Sequence, residues 1–320
     1  MKPKSIILNN LPDRVAMVYT PSSLARIAKL TDLNPTPVSG EAFRSMDVSD
    51  VEFIFTTWGM VPLTDEEVQR MPRLRAVFHA AGATDGFARP FLRNNVVVVS
   101  AWQANAIPVA EFTFSQILLG LKGFFYNNRI LRETRKFSFD GAGPGAYGEE
   151  VALLGAGAIS SRVQHFLENC DVKVTVMPSH PERRTVSLDE LFRRAFVISN
   201  HLPNRVDNKR VITQAHFESM RPGAVFINTG RGAQVDEEGM LDVMGSRPDL
   251  TAIIDVTEPE PPSPDSRLFT LPNVYLSGHI AGSWNDEVHR MADFVVAELE
   301  RFLAGEPLLY QVHESMLISS

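Results

Sequence analysis

Residues 151–160, Val-Ala-Leu-Leu-Gly-Ala-Gly-Ala-Ile-Ser, constrain the fold of this chain more than any other stretch. Val151 to Leu154 carry no charge and read as a strand buried on both faces of a parallel sheet. Gly155 and Gly157 stand one residue apart, as a tight turn with close backbone approach requires, and the run from Ile159 to Asn169 reads as a helix directly after them. Strand, glycine turn and helix, in that order, place free N–H groups and a helix dipole where a pyrophosphate is held. Gly155, Gly157, Ala158 and Ile159 are therefore candidate dinucleotide contacts. Ser160 takes the place of the third glycine of the fingerprint, whose task is close helix–strand packing, and a small residue can fill it. A tight turn with no ligand fits the same residues, so the choice rests on the rest of the chain.

The first hundred residues alternate strands with helices. Strands are expected at 15–19, 51–55, 74–78 and 96–99, and helices at 22–33 and 65–71. That is a complete open α/β sheet before the glycine turn appears. A long helix is expected from about Pro108 to Glu133, apolar on more than one stripe as a connector between domains would be. Residues 136–149, rich in glycine, read as irregular. After the turn, strands at 172–177, 196–199, 224–228, 252–255 and 274–276 continue the alternation, and a last helix is expected from Asn285 to Ala304. The expected fold is α/β with two doubly wound parallel-sheet domains. A Rossmann nucleotide domain, residues 102–284, is inserted into a flavodoxin-like substrate domain, residues 1–101 and 285–320.

With 320 residues the chain can bury two cores. A formal net charge of −7 gives no reason to expect a nucleic-acid partner. Neither a leader nor an apolar stretch long enough to span a bilayer is expected, and the chain is expected to be cytoplasmic, without a membrane partner. The single Cys170 excludes an internal disulfide and fits a reducing compartment. No His, Cys and Asp cluster has metal-ligand spacing.

Three later segments carry a family resemblance. They are Asn228-Thr-Gly-Arg-Gly232, Asp255-Val-Thr-Glu-Pro-Glu-Pro261 and Gly278-His-Ile-Ala-Gly-Ser283. In this order and spacing they resemble the C-terminal signatures of the D-isomer-specific 2-hydroxyacid dehydrogenases. Leu153 to Ile159 fits that family's nucleotide turn, Ala81-Gly-Ala-Thr-Asp85 its substrate loop, and Asn105 with Val109-Ala-Glu111 its connecting helix. The resemblance thus covers nearly the whole chain.

Reduction of a 2-oxo acid needs a cation for the carboxylate and carbonyl, a proton donor, and hydride from a nicotinamide. Arg231 follows a strand end, where open α/β sheets bind ligands, and its fork suits a carboxylate. His279 also follows a strand end and suits proton exchange at the substrate oxygen. Glu260 would bond the other ring nitrogen and fix its tautomer. A turn cap is the bland alternative for His279, as solvated loop acids are for Glu258 and Glu260. The resemblance implies the triad Arg231, Glu260 and His279, the cofactor contacts Thr229 and Asp255, substrate contacts at Gly82, Ala83 and Asn105, reaction in a cleft between the domains, and a homodimer. It also leaves open a dinucleotide-sensing regulator of the corepressor type, and a formate-oxidising branch that carries Gln where Glu260 stands.

NADP is favoured over NAD. Where an NAD site places an acid, some 20 residues past the glycines, this chain has Pro178-Ser179-His180, with Arg183 and Arg184 close behind. An exposed basic loop without consequence is the alternative. The three tryptophans, Trp58, Trp102 and Trp284, lie on segments expected to face the interdomain cleft. Trp58 and Trp284 would wall in the side chain of the acid. No Lys or Arg stands near Trp58 or Trp102 to pair a phosphate, so a small non-phosphorylated 2-oxo or D-2-hydroxy acid is expected.

Overall fold

Every pairing between the named strands is parallel, so each consecutive pair within a sheet needs a crossover, and helices supply most of these connections. The computed structural model describes residues 2–137 and 143–317; the irregular segment expected at 136–149 lies partly outside them. The described chain divides into two units. One holds residues up to Ala106 and again from Ser283, and the other runs from Ile107 to Gly282.

The first unit has a five-stranded sheet of β1 (Lys4–Leu8), β2 (Asp32–Val38), β3 (Val51–Thr56), β4 (Ala76–His79) and β5 (Val97–Ser100), in the order β2-β1-β3-β4-β5. This is the flavodoxin-like order, with apolar clusters on both faces. The C-terminal helix His289–Ala304 buries Met291, Ala292, Val295, Val296 and Leu299 in one of these cores and ends at Gly305 in the left-handed conformation. Its first turn, expected from Asn285, is a separate 3-10 segment, Asn285–Val288.

The second unit has six strands, β6 (Glu150–Leu154), β7 (Lys173–Met177), β8 (Val197–Asn200), β9 (Val225–Asn228), β10 (Thr251–Ile254) and β11 (Val274–Leu276). Their order is β11-β10-β9-β8-β6-β7, so the direction of winding reverses between β6 and β8. Ligands of open α/β sheets bind at such a point, beyond the carboxyl ends of the strands. The two-sheet α/β class expected from the sequence is the one observed.

Three local expectations fail. Residues 15–19, expected as a strand, belong largely to the helix Pro12–Val18, in which Pro12 sits at the first turn and Val15 and Val18 are buried at a spacing of three. The first strand is instead β1. Its neighbour β2 gave no period-two signal, because it is an exposed edge carrying Pro35 and Pro37, with a register irregularity opposite Ile6 and Ile7. The long helix is two, Trp102–Leu121 and Phe124–Thr134, separated at Gly123, whose φ is 66°. Pro108 lies inside the first of these and costs only one backbone bond near the start. That 20-residue helix is long and apolar enough by length and composition to cross a bilayer, contrary to the expectation. Half of its most apolar stretch is buried within the fold, as in a core helix.

Two imidazoles are buried without a counter-charge. Burial pushes both His79 and His201 down to about 3. The unfolded chain takes up protons at about pH 6.5 that the folded chain refuses, so each residue's contribution to stability is present above that pH and is lost as pH falls towards 3. The slope approaches about 1.4 kcal/mol per pH unit for each. Urea unfolding between pH 6.5 and 5.0 should therefore show falling stability in the native chain and a shallower fall in His201→Asn. Equal slopes for the two would overturn this account.

Candidate active site

Strand β6 delivers the chain into Gly155, whose φ of 102° and close approach admit no side chain: a Cβ there would stand 2.4 Å from the His201 carbonyl oxygen. Gly155 N–H donates to Met177 O, and His201 N–H to Leu154 O, which ties the turn to both neighbouring strands. Gly157 caps the helix Ala158–Leu167 without a side-chain hydrogen bond, and a Cβ on it would meet nothing within 4 Å. The N–H groups of Ala158, Ile159 and Ser160 have no acceptor among the described residues. Ser160 is 1% exposed, packed in as the third position requires. An uncapped helix start below open space fits a dinucleotide pyrophosphate.

At the carboxyl ends of β9 and β10 the second unit gathers Arg231, Glu260 and His279. All three are exposed, while Asp255, Asn200, Asn228 and Gln234 close to them are buried. His279 Nδ1 lies 2.5 Å from Glu260 Oε1. The His279 backbone is left-handed, φ 57°, and is held there through Asp255. The Asp255 carbonyl accepts from His279 N–H, and its carboxylate accepts from Ser277 Oγ (2.6 Å), Ile280 N (2.9 Å) and Ala281 N (3.0 Å). Asp255, expected to contact the cofactor, is therefore engaged in shaping the histidine loop.

Arg231 stands between two glycines because its neighbours leave no room. A Cβ at Gly232 would lie 2.0 Å from the Thr257 carbonyl carbon, and one at Gly230 would lie 3.0 Å from Asn200 Nδ2. Behind it is a buried amide network. Asn200 Nδ2 donates to Asn228 Oδ1 (2.9 Å) and Gln234 Oε1 (2.6 Å), and Asn228 Nδ2 donates to Arg231 O (3.2 Å). Asn200 and Gln234 went unnoticed in the sequence, although Asn200 and Asn228 each end an otherwise mostly apolar strand with an amide. Thr229 is buried, its hydroxyl 3.1 Å from that of Thr113 and 3.4 Å from His201 Nδ1.

Beyond β7 the basic loop is less free than its composition suggests. Arg184 donates to Pro178 O (3.1 Å) and Ser179 O (2.8 Å), so it closes the loop on itself. Arg183 is exposed, and His180 has an unforeseen neighbour, Arg205, whose Nη1 is 3.0 Å from His180 Nδ1. Glu182 is 3.6 Å from the same nitrogen, and Asp207 is paired with Arg205.

In the first unit, Asn105 Oδ1 accepts from Ser283 N–H (2.9 Å), and Asn105 Nδ2 lies 3.6 Å from where a Cβ on Gly82 would be. Ala83 is exposed beside them. The tryptophans differ: Trp58 is half-buried against the apolar core, Trp102 buries an unpaired Nε1, and Trp284 is 48% exposed.

The family model and the curated relatives together show an NAD(P)-dependent 2-hydroxyacid dehydrogenase. Residues 114–281 match the model of the D-isomer specific 2-hydroxyacid dehydrogenase NAD binding domain, which is more than half of the chain. The chain belongs to the D-isomer-specific 2-hydroxyacid dehydrogenase family. It is 26% identical to a glycerate dehydrogenase of Methylorubrum extorquens over 77% of this chain and 82% of that one. It is also 26% identical to glyoxylate/hydroxypyruvate reductase B of an Enterobacter species over 95% and 96%. The fold is shared with a phosphoglycerate oxidoreductase from Rhizobium etli, with a TM-score of 0.82 and 19% identity over 99% and 100%.

The two glycines of the turn separate shape from binding. Gly155→Ala should lower stability, because its Cβ meets backbone at 2.4 Å in a left-handed conformation. Gly157→Ala should melt like the native protein and yet bind dinucleotide at least about 10-fold more weakly, since the methyl enters the space above the helix start. Unchanged affinity of the folded Gly157→Ala protein, read by fluorescence titration, would show that no pyrophosphate lies there.

Proposed function

We propose that the chain reduces a small, non-phosphorylated 2-oxo acid to the D-2-hydroxy acid, reversibly, with NADP as the preferred cofactor. The observation that carries this reading is the 2.5 Å contact between His279 Nδ1 and Glu260 Oε1. With Nδ1–H donated to the carboxylate, Nε2 is left to exchange a proton with the substrate oxygen. The dinucleotide, when bound, supplies or accepts the hydride at the substrate's C2. Glu260 orients the imidazole and balances its charge when it is protonated. In the second unit Arg231 offers its guanidinium to the substrate carboxylate and carbonyl; in the first unit the N–H groups of Gly82 and Ala83 with Asn105 offer donors to a carboxylate. Trp58 and Trp284 offer apolar surface to the acid's side chain. Residues 155–159, together with Thr229, hold the dinucleotide.

The assembly proposed is a homodimer. Phe124, Phe137 and Tyr147 in the second unit leave large apolar surface uncovered, 48%, 91% and 89% exposed, and a second copy would cover it.

His279→Ala should lower kcat by roughly 10²–10⁴ and leave the dinucleotide Kd within about twofold, because the proton donor is lost and the glycine turn is untouched. Assay of the variant on the best 2-oxo acid decides the assignment; native kcat would refute it.

The cofactor preference rests on the loop after β7. Residues 176–181, from the end of β7 through His180, include no carboxylate, and Arg205 places a guanidinium beside His180. A 2′-phosphate would compete there with Glu182 and Asp207 for these cations. The expected result is kcat/KM at least about 10-fold higher with NADPH than with NADH. A clear preference for NADH would exclude the reading.

A further inference from the structure

The loop after β4 owes its shape to side chains that touch no substrate. Thr57 Oγ1 donates to Ala80 O at 2.8 Å, and Ser100 Oγ lies 2.9 Å from Ala81 O and 2.7 Å from Gly82 O. Thr57 and Ser100 are 0% and 1% exposed. Ser100 has one hydroxyl proton, so it is shared between two successive carbonyls. In a trans peptide the C=O and the following N–H point in opposite directions. With the oxygens of Ala81 and Gly82 both drawn to Ser100 Oγ, the N–H groups of Gly82 and Ala83 both point away from it. Neither has an acceptor among the described residues. Two neighbouring N–H groups turned to one side form an anion-binding concavity.

A third donor stands beside them. Asn105 accepts Ser283 N–H at Oδ1, which fixes which end of its amide is nitrogen, and the Nδ2 end lies toward Gly82. This cradle carries no formal charge. Its direction is set by buried groups from the ends of β3 and β5, and by the residue that opens the C-terminal return of the chain.

We propose that Ser100 is a positioning residue for the reaction: by holding the carbonyls of Ala81 and Gly82, it presents the N–H groups of Gly82 and Ala83 to the substrate carboxylate. This rests on the reading above in which that loop receives the carboxylate. Thr57 supports it by fixing the preceding peptide. Ser100 itself touches no substrate, so its loss should act on acid binding before it acts on chemistry or on the dinucleotide.

The test compares Ser100→Ala, Ser100→Thr and Ala83→Pro in the full chain. Ser100→Ala leaves two carbonyls without their donor, and the KM for the best 2-oxo acid should rise by about 10-fold or more. Its kcat should stay within about threefold, and its dinucleotide Kd, read by fluorescence, within about twofold. Ser100→Thr keeps the hydroxyl and should restore most of the loss. Oxamate binding to the NADPH-loaded protein should weaken in parallel with KM. A KM in Ser100→Ala within twofold of native overturns the proposal, and so does an equal weakening of acid and dinucleotide, which would mean a general structural effect. Ala83→Pro deletes one cradle N–H and leaves Ser100 in place. If it raises KM while Ser100→Ala does not, the positioning role alone fails. If the folded Ala83→Pro protein keeps native KM, the carboxylate is not on this loop and the underlying reading fails with the inference.

Discussion

The buried carboxylate of Asp255 is the interaction on which the His279 loop depends. Taking a carboxylate out of water is costly unless hydrogen bonds replace hydration, and here three donors do so, from Ser277, Ile280 and Ala281. Those donors are spread over the loop that contains His279, so satisfying the charge also folds the loop. The left-handed backbone of His279, unfavourable for a residue with a Cβ by about 1–2 kcal/mol, is accepted because the bonds on either side leave it no alternative. The imidazole then stands exposed on a rigid base and meets Glu260 from the neighbouring proline-flanked loop. Burial of the support and exposure of the working group are two results of one arrangement.

Arg231 is held by the same division of labour, with backbone approach in place of a charge. Gly232 lets the arginine turn pass against the carbonyl of Thr257, two residues from the start of the segment that bears Glu260. Any side chain there would push the Arg231 turn and the Glu260 loop apart. The buried amides of Asn200, Asn228 and Gln234 satisfy one another behind the turn, and Gln234 reaches on to Leu202 O and Pro203 O. A network of this kind is stable only when every member is paired, so it specifies one geometry for the loop in front of it.

The legible parts of the fold were those whose signal is local. Uncharged central strands such as β6 and β9, and the glycine turn beside a helix, declare themselves in a few residues. The order of three signature segments named the family because order and spacing survive where overall identity falls to 26%. The illegible parts depended on distant partners. β2 is a strand only because it pairs with β1, and its prolines and exposed residues hide it. Residues 15–19 are β-branched and apolar enough for a strand, but Pro12 and packing at a spacing of three make them helical. Within the candidate site, His279 and Glu260 were picked out as residue types, whereas Asn200, Gln234 and Ser100 act through contacts 18 to 34 residues away in sequence, which no window reveals. Arg205 was missed for the same reason: it is 25 residues from His180 and beside it in space.

A chain with a formal charge of −7 that binds a dinucleotide and a small acid, as proposed above, has to attract anions against its own net charge. In that reading the attraction comes, at the start of the helix Ala158–Leu167 and again in the loop after β4, from backbone N–H groups without acceptors among the described residues. Such donors are fixed by the fold, carry no counter-ion and need no desolvation of a full charge, so they bind a carboxylate or phosphate without a permanent cation. Cationic side chains are then needed only where geometry must be bidentate, which is the role proposed for Arg231. One of its nitrogens donates to Gly230 O at 2.8 Å, which aims the guanidinium before any ligand arrives. Under the proposed function, recognition of a small acid follows from peptide orientation first and from charge second, and the peptide orientation is decided by buried hydroxyls and amides at the ends of the strands.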